Sequence, residues 1–295
     1  VPARARRACL TVPASSERLL AKARTLPADE VIVDLEDAVA PAAKDTARDL
    51  AAAALCAGSI GRTSALRVNA RATPWWEDDL RAAAAARPDV VVLPKVESPD
   101  DVSAAAELLP AGIGLEAQIE TARGLAAVDE IAACGHGLEA LVLGPADLAA
   151  SLGLPVLTIG AGVSDHVLAR VVSAARAFGL QAIDGPYGRL GDDLGLVLSA
   201  RRALAHGCDG KWVIHPRQIE AVNLLFTPSP AEVARARRIL EATGGAARFE
   251  GELVDEASRR LAESLLSRAA LVTSPGERVA AESAPTRGAR PATGP

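Results

Sequence analysis

Five short apolar runs in this sequence each lead into residues capable of acid–base or metal chemistry. Val31-Ile32-Val33 runs into Asp34, Glu36 and Asp37, and Ala65-Leu66 leads to Arg67 and Asn69. Val90-Val91-Val92-Leu93 leads to Lys95, Gly114-Leu115 runs on to Glu120, and Leu141-Val142-Leu143 runs into Asp147. Carboxylates suit hard divalent cations and proton transfer. A guanidinium suits a substrate carboxylate, which it grips through two parallel hydrogen bonds. A lysine suits an ion pair or, once desolvated, a Schiff base. Polar groups just past buried strands are what a (β/α)₈ barrel collects on one face, where residues distant in sequence become neighbours. The pattern points to an enzyme.

The elements needed to position these groups are legible. Strand-like runs fall near 8–12, 30–34, 65–68, 90–94, 113–119, 140–143, 180–184 and 211–214, eight in all. Helical stretches lie between them, near 16–24, 43–55, 75–86, 100–109, 121–133, 164–178, 192–206 and 216–225. Strands alternating with helices argue for a parallel sheet, and near-continuous apolar strands such as VVVLP fit burial on both faces. At 295 residues the chain is long enough for a single barrel, which typically takes about 250 residues. The expected fold is a TIM barrel over residues 1–226, followed by a C-terminal helical extension over 227–272. That extension holds helices near 230–242 and 254–270 around a Gly-rich bend at 244–251, and it should pack on the barrel or on a neighbouring subunit. Residues 273–295 are rich in Pro, Gly, Ala and Ser, and read as a disordered tail.

Composition narrows the partners. A formal charge of −5 offers no basic field for nucleic acid or an anionic membrane. No run approaches the roughly 18 apolar residues of a membrane span. Arg4, Arg6 and Arg7 are not followed by the apolar stretch of a signal peptide. Cys9, Cys56, Cys134 and Cys208 are dispersed, which speaks against a disulfide framework or a zinc site. A cytoplasmic protein is the expectation.

Among the strand-end groups, Glu120 and Asp147 form the best metal pair, because they follow the fifth and sixth strands and so should stand side by side. Two carboxylates with open coordination suit Mg²⁺. The alternative is that each is a helix cap or first-turn residue. Arg67 could grip a substrate carboxylate or bridge to the Asp34/Glu36/Asp37 cluster, and the two roles are compatible. Asp34 could also simply cap its strand. Lys95 is expected to form an ion pair with the acids, not a Schiff base. His215, in IHP, is expected to hydrogen-bond its own loop.

Ordered segments then identify a resemblance. ACLTVPASSERLLAKA, VIVDLEDAVAPAAKDTAR, LRVNA, VVLPKVESPDDV, QIETARGL, LGPADLAASLG, AIDGPY, GKWVIHPRQIEAVN and FEGELVDEA follow one another as in citrate lyase beta-subunit-like proteins of the HpcH/HpaI aldolase superfamily. That group includes malyl-CoA and citramalyl-CoA lyases, and the resemblance covers about residues 7–270. It implies a TIM barrel that binds Mg²⁺ through Glu120 and Asp147. It implies that Arg67 and Glu120 touch substrate, and that Asp37 orders Arg67 or the metal's water. It makes Asp255, in LVD, the catalytic acid/base reaching a neighbouring subunit's site; the alternative is a helix-capping aspartate. More weakly, it places the phosphates of CoA near Arg18 and Lys22. Two departures stand out. Ala146 occupies a position where several relatives carry an acid, and Gly251-Glu252-Leu253 replaces a segment that often contains Met.

The activity implied is reversible Claisen-type cleavage of a 3-hydroxyacyl-CoA into acetyl-CoA and a small 2-oxo acid, by a homotrimer or hexamer. One alternative is a citrate lyase beta subunit acting on a thioester carried by an acyl carrier protein. Another is an aldolase that needs no CoA, and a third is a barrel serving as a non-catalytic scaffold.

Overall fold

The computed structural model describes residues 4–155, 157–160, 164–241, 247–249 and 252–272. It divides into two compact units, one ending at Phe226 and the other beginning at Thr227. In the first, eight parallel strands close into a barrel in sequence order. These are β1 Ala8–Pro13, β2 Glu30–Asp34, β3 Thr63–Arg67, β4 Val90–Leu93, β5 Gly114–Ile119, β6 Leu138–Leu143, β7 Gln181–Asp184 and β8 Gly210–Val213. β1 pairs with β8 to close the ring. The helices are α1 Glu17–Ala23, α2 Lys44–Cys56, α3 Trp76–Ala86, α4 Pro99–Leu108, α5 Ala122–Ala126, α6 Val128–Ala133, α7 Pro145–Ser151, α8 Asp165–Ala177, α9 Asp193–Ala205 and α10 Ile219–Phe226.

Successive residues of a strand face opposite sides, so each strand serves two layers. One set, including Ile32, Ala65, Val92, Val142, Ile183 and Trp212, forms its own buried cluster. The alternate set, including Val31, Val33, Leu66, Val91 and Leu141, packs with the apolar faces of the helices. This is why the strands read as unbroken apolar runs. Burial on both sides demands it, and each fully buried Val, Leu or Ile is worth about 1.5–3 kcal/mol relative to exposure.

Three details differ from the sequence expectation. The helix expected over 121–133 is two short ones, because the chain leaves helical geometry at Ala127 (φ −94°, ψ 9°). α7 is absent from the helical stretches expected, although the reading of Asp147 as a possible first-turn residue implied a helix start there, and Pro145 at its first position after Gly144 is a recognised one. In place of a simple bend, β9 Ala247–Phe249 and β10 Glu252–Val254 pair as an antiparallel hairpin. That hairpin lies in the second unit, between α11 Pro230–Glu241 and α12 Glu256–Val272. There, Ala236, Val254 and Ala262 are buried and Arg235 pairs with Glu252. The tail expected to be disordered, 273–295, lies outside the described residues. Among the described residues no helix is long and apolar enough to cross a membrane, and the four cysteines are free.

The N-terminal end of the barrel carries a buried charge cluster. Arg6, just before β1, contacts Glu30 at 3.0 Å, Glu116 at 2.6 Å and Glu139 at 2.6 Å, and also bonds Gln181. Three carboxylates around one cation cannot all stay ionised in a dry site. Burial, reinforced by the adjacent Glu116, pushes Glu30 up to about 8. A carboxyl raised in the folded state stabilises the fold fully below its ordinary value, and that contribution is lost as pH rises towards the folded value. This group should therefore lower stability progressively between about pH 4.5 and 8. Glu30→Gln keeps the shape without the titration. Its melting temperature should vary less than the wild type's across that window, and parallel melting curves at pH 5 and pH 9 would contradict the assignment.

Candidate active site

The opposite end of the barrel gathers the sequence-predicted residues. Continuing the inward alternation beyond the buried cluster leads from Ile32 to Asp34 and from Ala65 to Arg67. The same alternation takes Glu116 through Gln118 to Glu120. Asp34, Arg67, Gln118, Glu120, Gly144 and Asp147 line a cavity of about 280 Å³.

Asp34 and Arg67 are register partners on β2 and β3, so strand pairing itself sets their ion pair. The guanidinium meets Asp34 through both Nε (2.7 Å) and Nη2 (2.6 Å). Its third nitrogen, Nη1, lies 3.0 Å from Glu36 Oε2 and 3.8 Å from Asp37 Oδ2, and the ring of Trp212 stacks under it at 5.4 Å. Burial opposes ionisation of Asp34, but paired Arg67 and the backbone N–H groups of Glu36 and Ala38 outweigh it. Its carboxyl is held below the ordinary range. Asp34 is thus neither a strand cap nor a free acid; it fixes the arginine fork. The bridge to the acid cluster is present, and Nη1 faces the acids.

Glu120 is 2 % exposed. Its Oε1 accepts from the Lys95 backbone N–H at 2.9 Å, and its Oε2 from the Gln118 side-chain amide. It does not cap α5, because Thr121 does so by accepting from Gly124 N at 2.9 Å. Burial, with Glu36 adding like charge, pushes the Glu120 carboxyl up to about 8. Asp147 does lie in the first turn of a helix, α7, and Lys95 Nζ reaches its Oδ2 at 3.0 Å. Lys95 forms the expected ion pairs, with Asp147 and with Glu36.

Oxygen atoms of Glu36, Glu120 and Asp147 all lie within 4.8 Å of one another. Glu36 Oε2 and Asp147 Oδ2 are buried and have ionic neighbours but no hydrogen bond. Hard oxygen donors converging on unsatisfied space fit Mg²⁺. Gly144 supplies part of that space, since a Cβ there would collide with the Glu120 carboxylate. Gly144→Ala should therefore weaken Mg²⁺ binding about tenfold or more, as expected for a supporting residue of a metal site, while leaving the circular dichroism spectrum native. Unchanged affinity in a titration calorimeter would contradict this.

The third carboxylate, Glu36, was placed in the acid cluster by sequence but given no role of its own. The inward alternation was the missed signal: Asp34 and Glu36 share it, whereas Asp37 is out of step. Asp37, the residue singled out by resemblance, lines the cavity with a side chain 63 % exposed and lies 3.8 Å from Arg67 Nη1. Gln118 and Trp212 were likewise missed. His215 accepts from the Arg217 backbone N–H, the local role expected of it.

Arg18 and Lys22 are exposed on α1 and line a second cavity of about 320 Å³. Thr11 and Ile214 line both cavities, so the two adjoin. Asp255 belongs to the second unit, immediately before α12. Its Oδ1 accepts from Ser258 N at 3.0 Å and Ser258 Oγ at 3.1 Å, which is the geometry of a helix cap. These bonds hold its carboxyl below the ordinary value.

Comparison with known proteins agrees with this geometry. An L-malyl-CoA/beta-methylmalyl-CoA lyase from Cereibacter sphaeroides is 36% identical over 308 residues, covering 92% of this chain and 97% of that protein. A (3S)-malyl-CoA thioesterase from Cereibacter sphaeroides is 39% identical over 264 residues, covering 88% and 90%. Among solved structures, CitE from Mycobacterium tuberculosis in complex with magnesium, acetoacetate and coenzyme A superposes with a TM-score of 0.75. It is 36% identical and covers 89% of this chain and 97% of that one. The family described as HpcH/HpaI aldolase/citrate lyase matches residues 7–216. With that span and these relatives, the chain belongs to the HpcH/HpaI aldolase/citrate lyase family.

Proposed function

We propose that the protein is a Mg²⁺-dependent carbon–carbon lyase that cleaves, or forms, a 3-hydroxyacyl-CoA with a 2-oxo acid and acetyl-CoA as partners. The observation that carries this reading is the convergence of Glu36, Glu120 and Asp147 within 4.8 Å, beside an arginine fixed by Asp34. Glu120 and Asp147 would hold the ion, with Glu36 beside them. Bound magnesium supplies Lewis acidity to the substrate's carboxylate and the adjacent hydroxyl.

The chain's own groups provide the rest. Arg67, locked in orientation by Asp34, faces the cavity and offsets negative charge developing on the oxo-acid oxygens. Transfer of the hydroxyl proton to a neighbouring carboxylate of the site, Glu36 being the one beside the two that would hold the ion, lets the carbon–carbon bond break, and the electron pair passes to the enolate of acetyl-CoA. Asp255, delivered by a neighbouring subunit of a cytoplasmic homotrimer or hexamer, protonates that carbon. In the forward condensation it removes the proton instead, in the ionised form that its Ser258 bonds favour; those bonds also lower its basicity, which a water-poor interface between subunits would raise again. The second unit thus serves as an extension that packs on a barrel. Arg18 and Lys22, beside the adjoining cavity, meet the phosphates of CoA.

Among the described residues lining the main cavity, Arg67 is the only cation. The nearby Lys95 ammonium is engaged by Glu36 and Asp147, so a substrate with a second free carboxylate would meet no further unpaired cation among the described residues there. This supports a small monocarboxylic oxo acid, glyoxylate or pyruvate, over oxaloacetate, and free CoA thioesters over the citryl group of a carrier protein. Hydrolysis is the second reading, because the relative named as a thioesterase is 39% identical. The test is a panel of malyl-CoA, citramalyl-CoA, 3-hydroxy-3-methylglutaryl-CoA and citryl-CoA, each with Mg²⁺ and with EDTA. Metal-dependent acetyl-CoA formation from malyl- or citramalyl-CoA is expected. Silence throughout, from a protein that still binds Mg²⁺, would move the function to a carrier-protein thioester.

A further inference from the structure

Lys95 touches all three carboxylates of the site. Its backbone N–H donates to Glu120 at 2.9 Å, and its ammonium contacts Glu36 and lies 3.0 Å from Asp147. The residue adopts φ 51°, the left-handed region that a side chain with a Cβ rarely takes. Backbone strain of this kind persists where the surroundings over-determine it, and such sites are often functional. Here one strained residue aims its N–H at one acid and returns its ammonium to the other two. The side chain is 35 % exposed, so it is partly in solvent, whereas Glu36 is 6 % exposed.

Without a cation, three carboxylates within 4.8 Å repel one another. The Lys95 ammonium stands among the oxygens where a divalent ion would be held. We infer that Lys95 is a charge-balancing positioning residue, which keeps the three carboxylates gathered and competes with the divalent cation for Glu36 and Asp147. Cation affinity is thereby set below what three unopposed acids would give, and the ion is kept exchangeable. The inference rests on reading the site as a magnesium centre. It goes beyond that reading because it predicts that losing a conserving contact tightens binding.

The test titrates MgCl₂ into the full-length protein without substrate, in a calorimeter, for wild type, Lys95→Met, Lys95→Gly and Lys95→Arg. Met and Gly should bind Mg²⁺ about tenfold tighter than wild type, since a nearby positive charge no longer opposes the ion. Arg, which keeps the charge, should stay within about threefold of wild type. Mg²⁺ should also raise the melting temperature of Met and Gly more than that of wild type. Gly relaxes the left-handed backbone, so it carries the test if Met does not fold. If wild type binds Mg²⁺ and the uncharged variants bind it equally or more weakly, Lys95 is only a scaffold and the inference is overturned. If wild type binds no Mg²⁺, the proposed function fails, and this inference with it.

Discussion

Asp255→Asn should lower turnover about 10²- to 10⁴-fold, the range a positioned acid or base contributes, while Mg²⁺ affinity and melting temperature stay near wild type. The substitution separates two roles. Asp255 accepts from Ser258 N and Oγ at the start of α12, so a purely structural aspartate is a helix cap. Asparagine caps a helix about as well as aspartate, and a cap would therefore survive. Asparagine cannot exchange a proton with an enolate carbon, so chemistry would not. Asp255→Ala is the matching control, losing both the acid and the cap, at a cost of about 1 kcal/mol for the cap. Turnover by Asp255→Asn within about threefold of wild type, far short of a general acid–base contribution, would return Asp255 to a capping role. Loss of Mg²⁺ binding in parallel with turnover would place the effect in the metal site.

The second large effect concerns stability. Arg6→Met should cost about 3–5 kcal/mol near pH 8, the usual penalty for stripping one partner from a buried ion cluster. Arg6 is 2 % exposed, and Glu30 and Glu116 are fully buried. No water reaches these groups to replace the guanidinium. The carboxylates answer by taking up protons, because burial already favours their neutral forms. The loss should accordingly be smaller at pH 5 than at pH 8. Adding Glu30→Gln and Glu116→Gln to Arg6→Met should recover much of it. Urea unfolding at the two pH values decides. A loss under about 1 kcal/mol, within what an ordinary surface change produces, or the same loss at both pH values, would show that the cluster is not the linchpin of this end of the barrel.

Much of the barrel was legible because its physics is local. Strands such as Val90–Leu93 are buried on both faces and must be apolar throughout. The caps Ser16 and Ser164 mark the helix starts they were read as. The break at Ala127 was missed because the nearest glycine, Gly124, lies inside α5 and not at the break, and α7 is only seven residues long. The β9–β10 pairing was hidden because the glycines around it in the sequence read equally well as a bend.

The site was legible in part for a similar reason. Glu120, Asp147 and Arg67 sit at strand ends, where position alone implies convergence. Choosing among the acids after β2 needed the facing of each residue; resemblance gave Asp37 the role of ordering Arg67 or the metal's water and gave Glu36 none. Extending the strand alternation two residues past Asp34 would have favoured Glu36. The Lys95 ammonium was foreseen as an ion pair, yet its left-handed backbone and its N–H bond to Glu120 depend on a loop conformation that no spacing rule supplies. Arg6 was read only as an N-terminal basic residue. Its partners Glu30, Glu116 and Glu139 come from three different strands, and nothing but barrel closure brings them together.

The central claim is metal-dependent cleavage of a carbon–carbon bond, and product identity tests it most directly. Malyl-CoA incubated with the protein should yield glyoxylate and acetyl-CoA together with Mg²⁺, and neither product with EDTA. Malate with free CoA, the carbon skeleton intact, would contradict the account and make the protein a thioesterase.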